Sequence, residues 1–172
     1  VIEGGVTEIE KWIAEKSIDI AFLTKRAGQA FDVIPLKEDR VLAVLPPTRY
    51  DETAEAFPLS AFKDEEFIVS ASYYDNDCYS VVEEFQKRYG EMPYKKVSAT
   101  DPYTVISMVE NGLGISVLPE LILKRHSENV STLPIDPPFT RTIILGVPSL
   151  ASCSPATQKF IGYVKDFCAA ES

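Results

Sequence analysis

The chain has 172 residues, 45% of them hydrophobic, enough to bury a proper core in one large domain or two small lobes. A formal net charge of -9 argues against a polypeptide that grips phosphate backbones, which requires clustered Lys and Arg. No apolar run approaches the roughly 20 residues of a membrane span and no signal-peptide series is visible. Cys78, Cys153 and Cys168 are odd in number and widely spaced, which fits reduced thiols in a cytoplasm and neither a disulfide framework nor a zinc site.

In chain order, Val1-Ile2-Glu3 reads as the end of a strand, and Gly4-Gly5-Val6-Thr7 as the turn into a helix that aligns Ile9, Trp12 and Ile13 on one face. Ile18 to Leu23 follows as a strand, so a right-handed βαβ unit is expected here. Gly28 to Asp32 reads as loop, Val33 to Leu36 as a short extended piece, and Arg40 to Leu45 as an apolar strand stopped by Pro46-Pro47. That proline pair marks a lobe boundary. Phe67 to Ser70 is a strand, Ala71 to Cys78 a loop, and Tyr79 to Tyr89 a helix with Val82, Phe85 and Tyr89 on one face.

The strand Lys95 to Thr100 leads into the stretch that organises the rest, Pro102 to Glu120. Asp101 caps the next helix, Pro102 suits its first turn, Val105, Ile106 and Val109 share a face, and Gly112 fits the left-handed residue that closes it. Gly114 lets the following strand start close against the helix, Ile115, Val117 and Leu118 suit a buried parallel strand, and Pro119 ends it. A short helix from Glu120 to Arg125, a strand from Val130 to Ile135, a second strand from Arg141 to Val147, and a helix capped by Ser154-Pro155 with Phe160, Ile161, Val164 and Phe167 inward complete the chain. The proline-punctuated strands at 41–45 and 142–147 bracket the middle block. The expected architecture is therefore α/β with two Rossmann-like lobes joined by two hinge crossovers, residues 1–48 with 140–172 forming lobe I and 49–139 forming lobe II.

Glu3-Gly4-Gly5, Ile18-Asp19-Ile20-Ala21-Phe22, Leu36-Lys37-Glu38-Asp39-Arg40, Phe67-Ile68-Val69 and above all Val109-Glu110-Asn111-Gly112-Leu113-Gly114-Ile115-Ser116-Val117-Leu118-Pro119 stand in the order found in one family. Together they resemble the effector-binding domain of LysR-type transcriptional regulators, over essentially the whole chain. The resemblance implies a type 2 periplasmic-binding-protein-like fold, a small-molecule inducer in the interlobe cleft, a homodimer or tetramer, no cofactor, no membrane contact, and DNA binding only through an upstream winged helix-turn-helix domain. It also implies a strand, a loop and a helix ahead of Glu3-Gly4-Gly5, which this chain lacks, so the first strand and helix of lobe I are missing. A solute-binding protein or a biosynthetic enzyme uses the same two-lobed fold.

Ligands of α/β sheets lie outside the carboxyl ends of strands, beside helix N-termini whose free N–H groups attract anions. Gly5, Val6 and Thr7 occupy such a helix start, where Thr7 also has the chemistry of a cap. Ser70, Ser72 and Tyr73 end the first strand of the middle lobe, and Thr100, Asp101 and Tyr103 precede the helix of the organising stretch; Asp101 doubles as a helix cap, whereas Thr100 has a hydroxyl to spare. These groups suit an inducer bearing a carboxylate. Lys25 and Arg26 read equally as anion contacts or solvated surface. No catalytic or metal constellation stands out. His126 sits at a helix end beside Lys124 and Arg125, the pair Glu83-Glu84 is an exposed helix face, and Gly112-Leu113-Gly114 opens a strand where a phosphate loop would open a helix. Cys78 precedes a helix N-terminus, which lowers a thiol's pKa, as in the sensor cysteine of peroxide-sensing members of the family. Those members carry a second cysteine a short distance downstream, and Tyr79 to Tyr89 holds none.

Overall fold

The computed structural model describes residues 1–26, 28–47, 54–70, 79–91, 95–99, 101–124 and 129–170. The chain forms two compact units, Val1–Glu38 with Arg141–Ser172, and Asp39–Thr140. It passes from one to the other inside two long strands, β2 (Asp32–Leu45) and β7 (Ser131–Val147). Both were expected as pairs of shorter pieces. Pro137-Pro138 reads as a break in β7, yet proline's fixed φ is compatible with extended backbone wherever the ladder does not need its missing N–H. The first division accordingly falls within β2, ahead of Pro46-Pro47.

In the first unit, α1 (Val6–Ala14) leads to β1 (Ala21–Thr24), and α5 (Pro155–Ala170) closes the chain. β1 runs antiparallel to β7, with Ala21 opposite Gly146 and Leu23 opposite Ile144. Strand alternation divides the core. Ala21, Leu23 and Ile144 pack with Ile13 of α1, while Leu145 and Val147 pack with Ile34 and with Ile161 of α5. Val1-Ile2-Glu3 is irregular and not a strand, so the βαβ unit expected at the start of the chain is absent from the described residues. α5 also differs from expectation. Its inward face is Thr157 and Ile161, both buried, whereas Phe160 and Phe167 are 44% and 64% exposed.

In the second unit, β4 (Phe67–Ser70) and β5 (Lys95–Ala99) pair in parallel, and Ile115, at the head of β6 (Ser116–Pro119), bridges Phe67 in parallel on the other side. α3 (Pro102–Glu110) is the crossover between β5 and this start of β6, the βαβ half-unit that the glycine turn indicates. From Ser116 onward β6 runs antiparallel to β2, with Val44 opposite Ser116 and Val41 opposite Pro119, a correction to the purely parallel strand expected. One face of β2 and β6 buries Val41, Ala43, Leu45 and Val117 with Phe62, Phe67 and Phe85, the last from α2 (Tyr79–Tyr89). The other face buries Leu42, Val44 and Leu118 against Val105, Ile106 and Val109 of α3. Phe62 lies in a 3-10 turn (Leu59–Asp64) that follows the short β3 (Phe57–Pro58), and it meets Phe57, Phe67 and Phe85 edge to face at 5.0, 5.5 and 6.5 Å.

Candidate functional site

The carboxyl ends of β4 and β5 converge because the strands are parallel and in register, Ser70 standing opposite Ala99. Ser70 and Ala99, the last residues of the two strands, therefore stand at the same edge of the sheet. Asp101 is the N-cap of α3, in extended conformation, and its carboxylate accepts hydrogen bonds from the Thr104 amide at 2.8 Å and from Thr104 Oγ1 at 2.9 Å. The Thr104 amide, first among the causes, holds the Asp101 carboxyl below its ordinary value. That position is a negative cap at a positive helix end, as the D-P-x-T order indicates. Tyr103 is 49% exposed at the same end. Ser72, Tyr73 and Thr100, expected in this group, lie outside the described residues, as do Cys78 and His126.

The second unit is also held by contacts between residues far apart in the chain. Gly114 has φ +156, and a Cβ there would overlap the Glu66 carbonyl oxygen and lie 3.3 Å from Ile68 Cγ1. Its absence lets Ile115 N donate to Glu66 O at 2.9 Å and Ile68 N donate to Ile115 O at 2.8 Å. Ser116, buried, donates its hydroxyl to Ile68 O at 2.8 Å. Buried Asp39 of β2 accepts from Leu121 N in α4 (Glu120–Leu123), an amide that the preceding Pro119 has no side chain to cap. Arg40 next to it makes a bidentate pair with Glu120, both N–O distances 2.9 Å. Sequence reasoning missed Asp39, Arg40, Ser116 and Glu120, because no local pattern links positions roughly 50 to 80 apart.

The remaining candidates lie in the first unit. Gly5 is the N-cap of α1, extended, with no side-chain cap, and its carbonyl accepts from Ile9 N at 2.9 Å. The cap is thus Gly5 and not Thr7, which falls in the first turn and is exposed, while Val6 is half-buried. Trp12 folds back over the entry to the helix, so that a Cβ on Gly4 would lie 2.7 Å from its ring. Lys25 N donates to Thr142 O at 2.8 Å, and Arg26 N donates to Gln29 Oε1 at 3.1 Å, with Gln29 Nε2 donating in turn to Glu10.

A hollow of about 440 Å³ lies between α2 and β7, against Glu84, Arg88 and Phe139, and one of about 130 Å³ lies at the start of α5, against Ser149, Ser154 and Thr157. Neither is lined by the residues expected to hold an effector. Among the described residues no cluster of His, Cys, Asp and Glu has the grouping of a metal site, and no helix is long and apolar enough to cross a membrane.

Comparison with known proteins covers nearly the whole chain. Residues 1–169 match the family described as LysR substrate binding domain. The HTH-type transcriptional regulator YvbU of Bacillus subtilis is 29% identical over 98% of this chain and 57% of its own length. The chain spans about half the length of the curated relatives it matches. Among solved structures, a full-length BenM mutant superposes with a TM-score of 0.83 at 20% identity, over 99% of this chain and 57% of that one. The effector binding domain of QuiR in complex with shikimate gives 0.80 at 17% identity, over 97% of this chain and 79% of that one. At these identities the structural likeness bears on the fold, which is that of LysR regulatory domains.

Proposed function

Because this chain belongs to the LysR substrate-binding domain family, we propose that it senses a small-molecule effector and passes that event to a winged helix-turn-helix DNA-binding domain elsewhere in the intact regulator. The observation that carries the reading is the shared carboxyl edge of β4 and β5 beside the capped start of α3, the position at which α/β folds take up small ligands. In this reading residues 1–48 with 140–172 and residues 49–139 act as the two lobes of the effector-binding domain. Ser70, Ser72, Tyr73 and Thr100 offer hydroxyls, Tyr103 an aromatic wall, and Asp101 its cap. Gly5, Val6 and Thr7 offer the amides of a helix start without a side-chain cap.

The effector is a small carboxylic acid that also bears hydroxyl groups, in keeping with the shikimate held by the QuiR domain. A net charge of -9 gives an anion no long-range steering, so its affinity comes from local amides and hydroxyls. The effector is bound and released unchanged, in keeping with relatives named as transcriptional regulators. The intact protein works in the cytoplasm as a homodimer or tetramer.

A thermal-shift screen of small hydroxylated and plain carboxylic acids tests the reading. An effector present at 100 times its dissociation constant adds about 2.7 kcal/mol, a rise of roughly 5–10 °C for a chain of this size. If no acid in the series raises the melting temperature, while uncharged or cationic metabolites do, the carboxylate assignment fails.

A further inference from the structure

The hollow of about 440 Å³ beside α2 lies wholly within the second unit and shares no residue with the effector reading. Ser80, Glu83, Glu84, Lys87 and Arg88 stand at steps of three and four along α2, so they form one side of the helix and one wall of the hollow. Opposite them Phe139 of β7, half-buried on the core of the unit, supplies an apolar surface. The volume is in the range that holds small organic ligands.

The charges on the helix side are sorted. Glu84, its side chain 28% exposed, draws both cations: Arg88 Nε donates to it at 2.6 Å and Lys87 Nζ lies 3.9 Å from it. An ordinary exposed ladder would pair Glu83 with Lys87, four residues on. Glu83 instead has no ion-pair partner among the described residues. Glu84, Lys87 and Arg88 together carry one positive charge, and Glu83 carries one negative charge about 6 Å along the helix axis from Lys87. The wall is neutral overall, so a simple anion or cation meets as much repulsion as attraction, whereas a molecule bearing both charges can satisfy each end.

We propose that this hollow binds a small linear zwitterion of the dipeptide class, its ammonium group on Glu83 and the Ser80 hydroxyl, its carboxylate on Lys87 and Arg88, and its apolar side chain against Phe139. Length selects the class. In an α-amino acid the nitrogen and the carboxyl carbon are about 2.5 Å apart, and in an extended dipeptide about 6 Å, which matches the separation of Glu83 and Lys87 along the helix. The bond to Glu84 occupies Arg88 Nε and fixes the guanidinium, while its Nη groups remain as donors to a carboxylate. The inference is independent of the effector reading.

Calorimetric titration of glycyl-phenylalanine into the 172-residue chain is the test. A ligand of this size should bind with a dissociation constant of about 0.1–1 mM, and free phenylalanine, whose charges are too close together, about tenfold more weakly. Glu83→Gln and Arg88→Met should each weaken the dipeptide about tenfold, with unchanged circular dichroism because both side chains are exposed. Blocking one end of the probe shows which residue that end meets. The N-acetyl dipeptide should lose affinity for the parent but no further affinity on Glu83→Gln, and the dipeptide amide should behave in the same way with Arg88→Met. No heat of binding at several millimolar, equal affinity for free phenylalanine, or parental affinity in both variants each overturns the proposal. So does a blocked ammonium whose loss adds in full to that of Glu83→Gln, because the two changes would then remove different contacts.

Discussion

Replacing Gly114 by alanine isolates a close backbone contact at the amino end of β4. The added Cβ would overlap Glu66 O and lie 3.1 Å from the carbonyl carbon, and both belong to backbone, which cannot rotate aside as a long side chain does. Forcing a side chain into φ +156 costs about 1–3 kcal/mol, and overpacking against fixed atoms costs about another 1–3 kcal/mol. Displacing Glu66 O also weakens the bond it accepts from Ile115 N, so the total is about 3–5 kcal/mol. Gly112 is the internal control. Its φ is +74 but nothing lies within 4 Å of a Cβ there, so Gly112→Ala meets backbone strain alone, about 1–2 kcal/mol. For a chain of this length the melting temperature should fall by about 10 °C or more for Gly114→Ala and by roughly half that or less for Gly112→Ala. Thermal and urea unfolding followed by far-ultraviolet circular dichroism measure both. Equal losses for the two alanines would refute the close-approach argument, because only one of them faces a carbonyl.

Three further outcomes are expected. Ser116→Ala removes the buried donor to Ile68 O and should cost about 1–2 kcal/mol in urea unfolding, with secondary structure retained. Arg40, by its hydrogen bond first and its charge second, holds the Glu120 carboxyl below its ordinary value. A depressed carboxyl contributes stability above its unfolded pKa and loses it as pH falls through the folded one, so Arg40→Met should flatten the acid side of the stability profile. Because the Arg40 side chain is 59% exposed the change should stay below about 1 kcal/mol, read from urea midpoints across the carboxylate range. In a gel shift at physiological salt the isolated chain should give no sequence-specific retention of duplex DNA, consistent with its charge of -9; specific retention would move the DNA contact into this part of the protein.

What could be read from the sequence divides by distance along the chain. α3 was legible because Asp101, Pro102 and Gly112 are local punctuation, each with its own reason to start or end a helix, and Ser154 caps α5 on the same logic through Thr157 N at 3.1 Å. β2 and β7 were cut short because proline and the charged run Lys37-Glu38-Asp39-Arg40 look like breaks unless the neighbouring strand is known. α5 carries two apolar stripes side by side. Size alone favours the phenylalanines as core, yet the sheet takes Ile161 and the small, hydrogen-bonded Thr157. Of the candidate site, the Asp101 cap follows from local pattern. The supports at Asp39, Arg40 and Ser116 do not, because their partners are set only once β2, β4 and β6 come together.

The measurement closest to the central claim is calorimetric titration of a carboxylic acid found by thermal shift into the parent, Ser70→Ala and Thr100→Val. Removing a hydroxyl that bonds a charged ligand costs about 1.5–3 kcal/mol, so each variant should bind tenfold to roughly a hundredfold more weakly while its unfolding is nearly unchanged. Parental affinity in both folded variants would contradict the account and move the effector away from the carboxyl edge of β4 and β5.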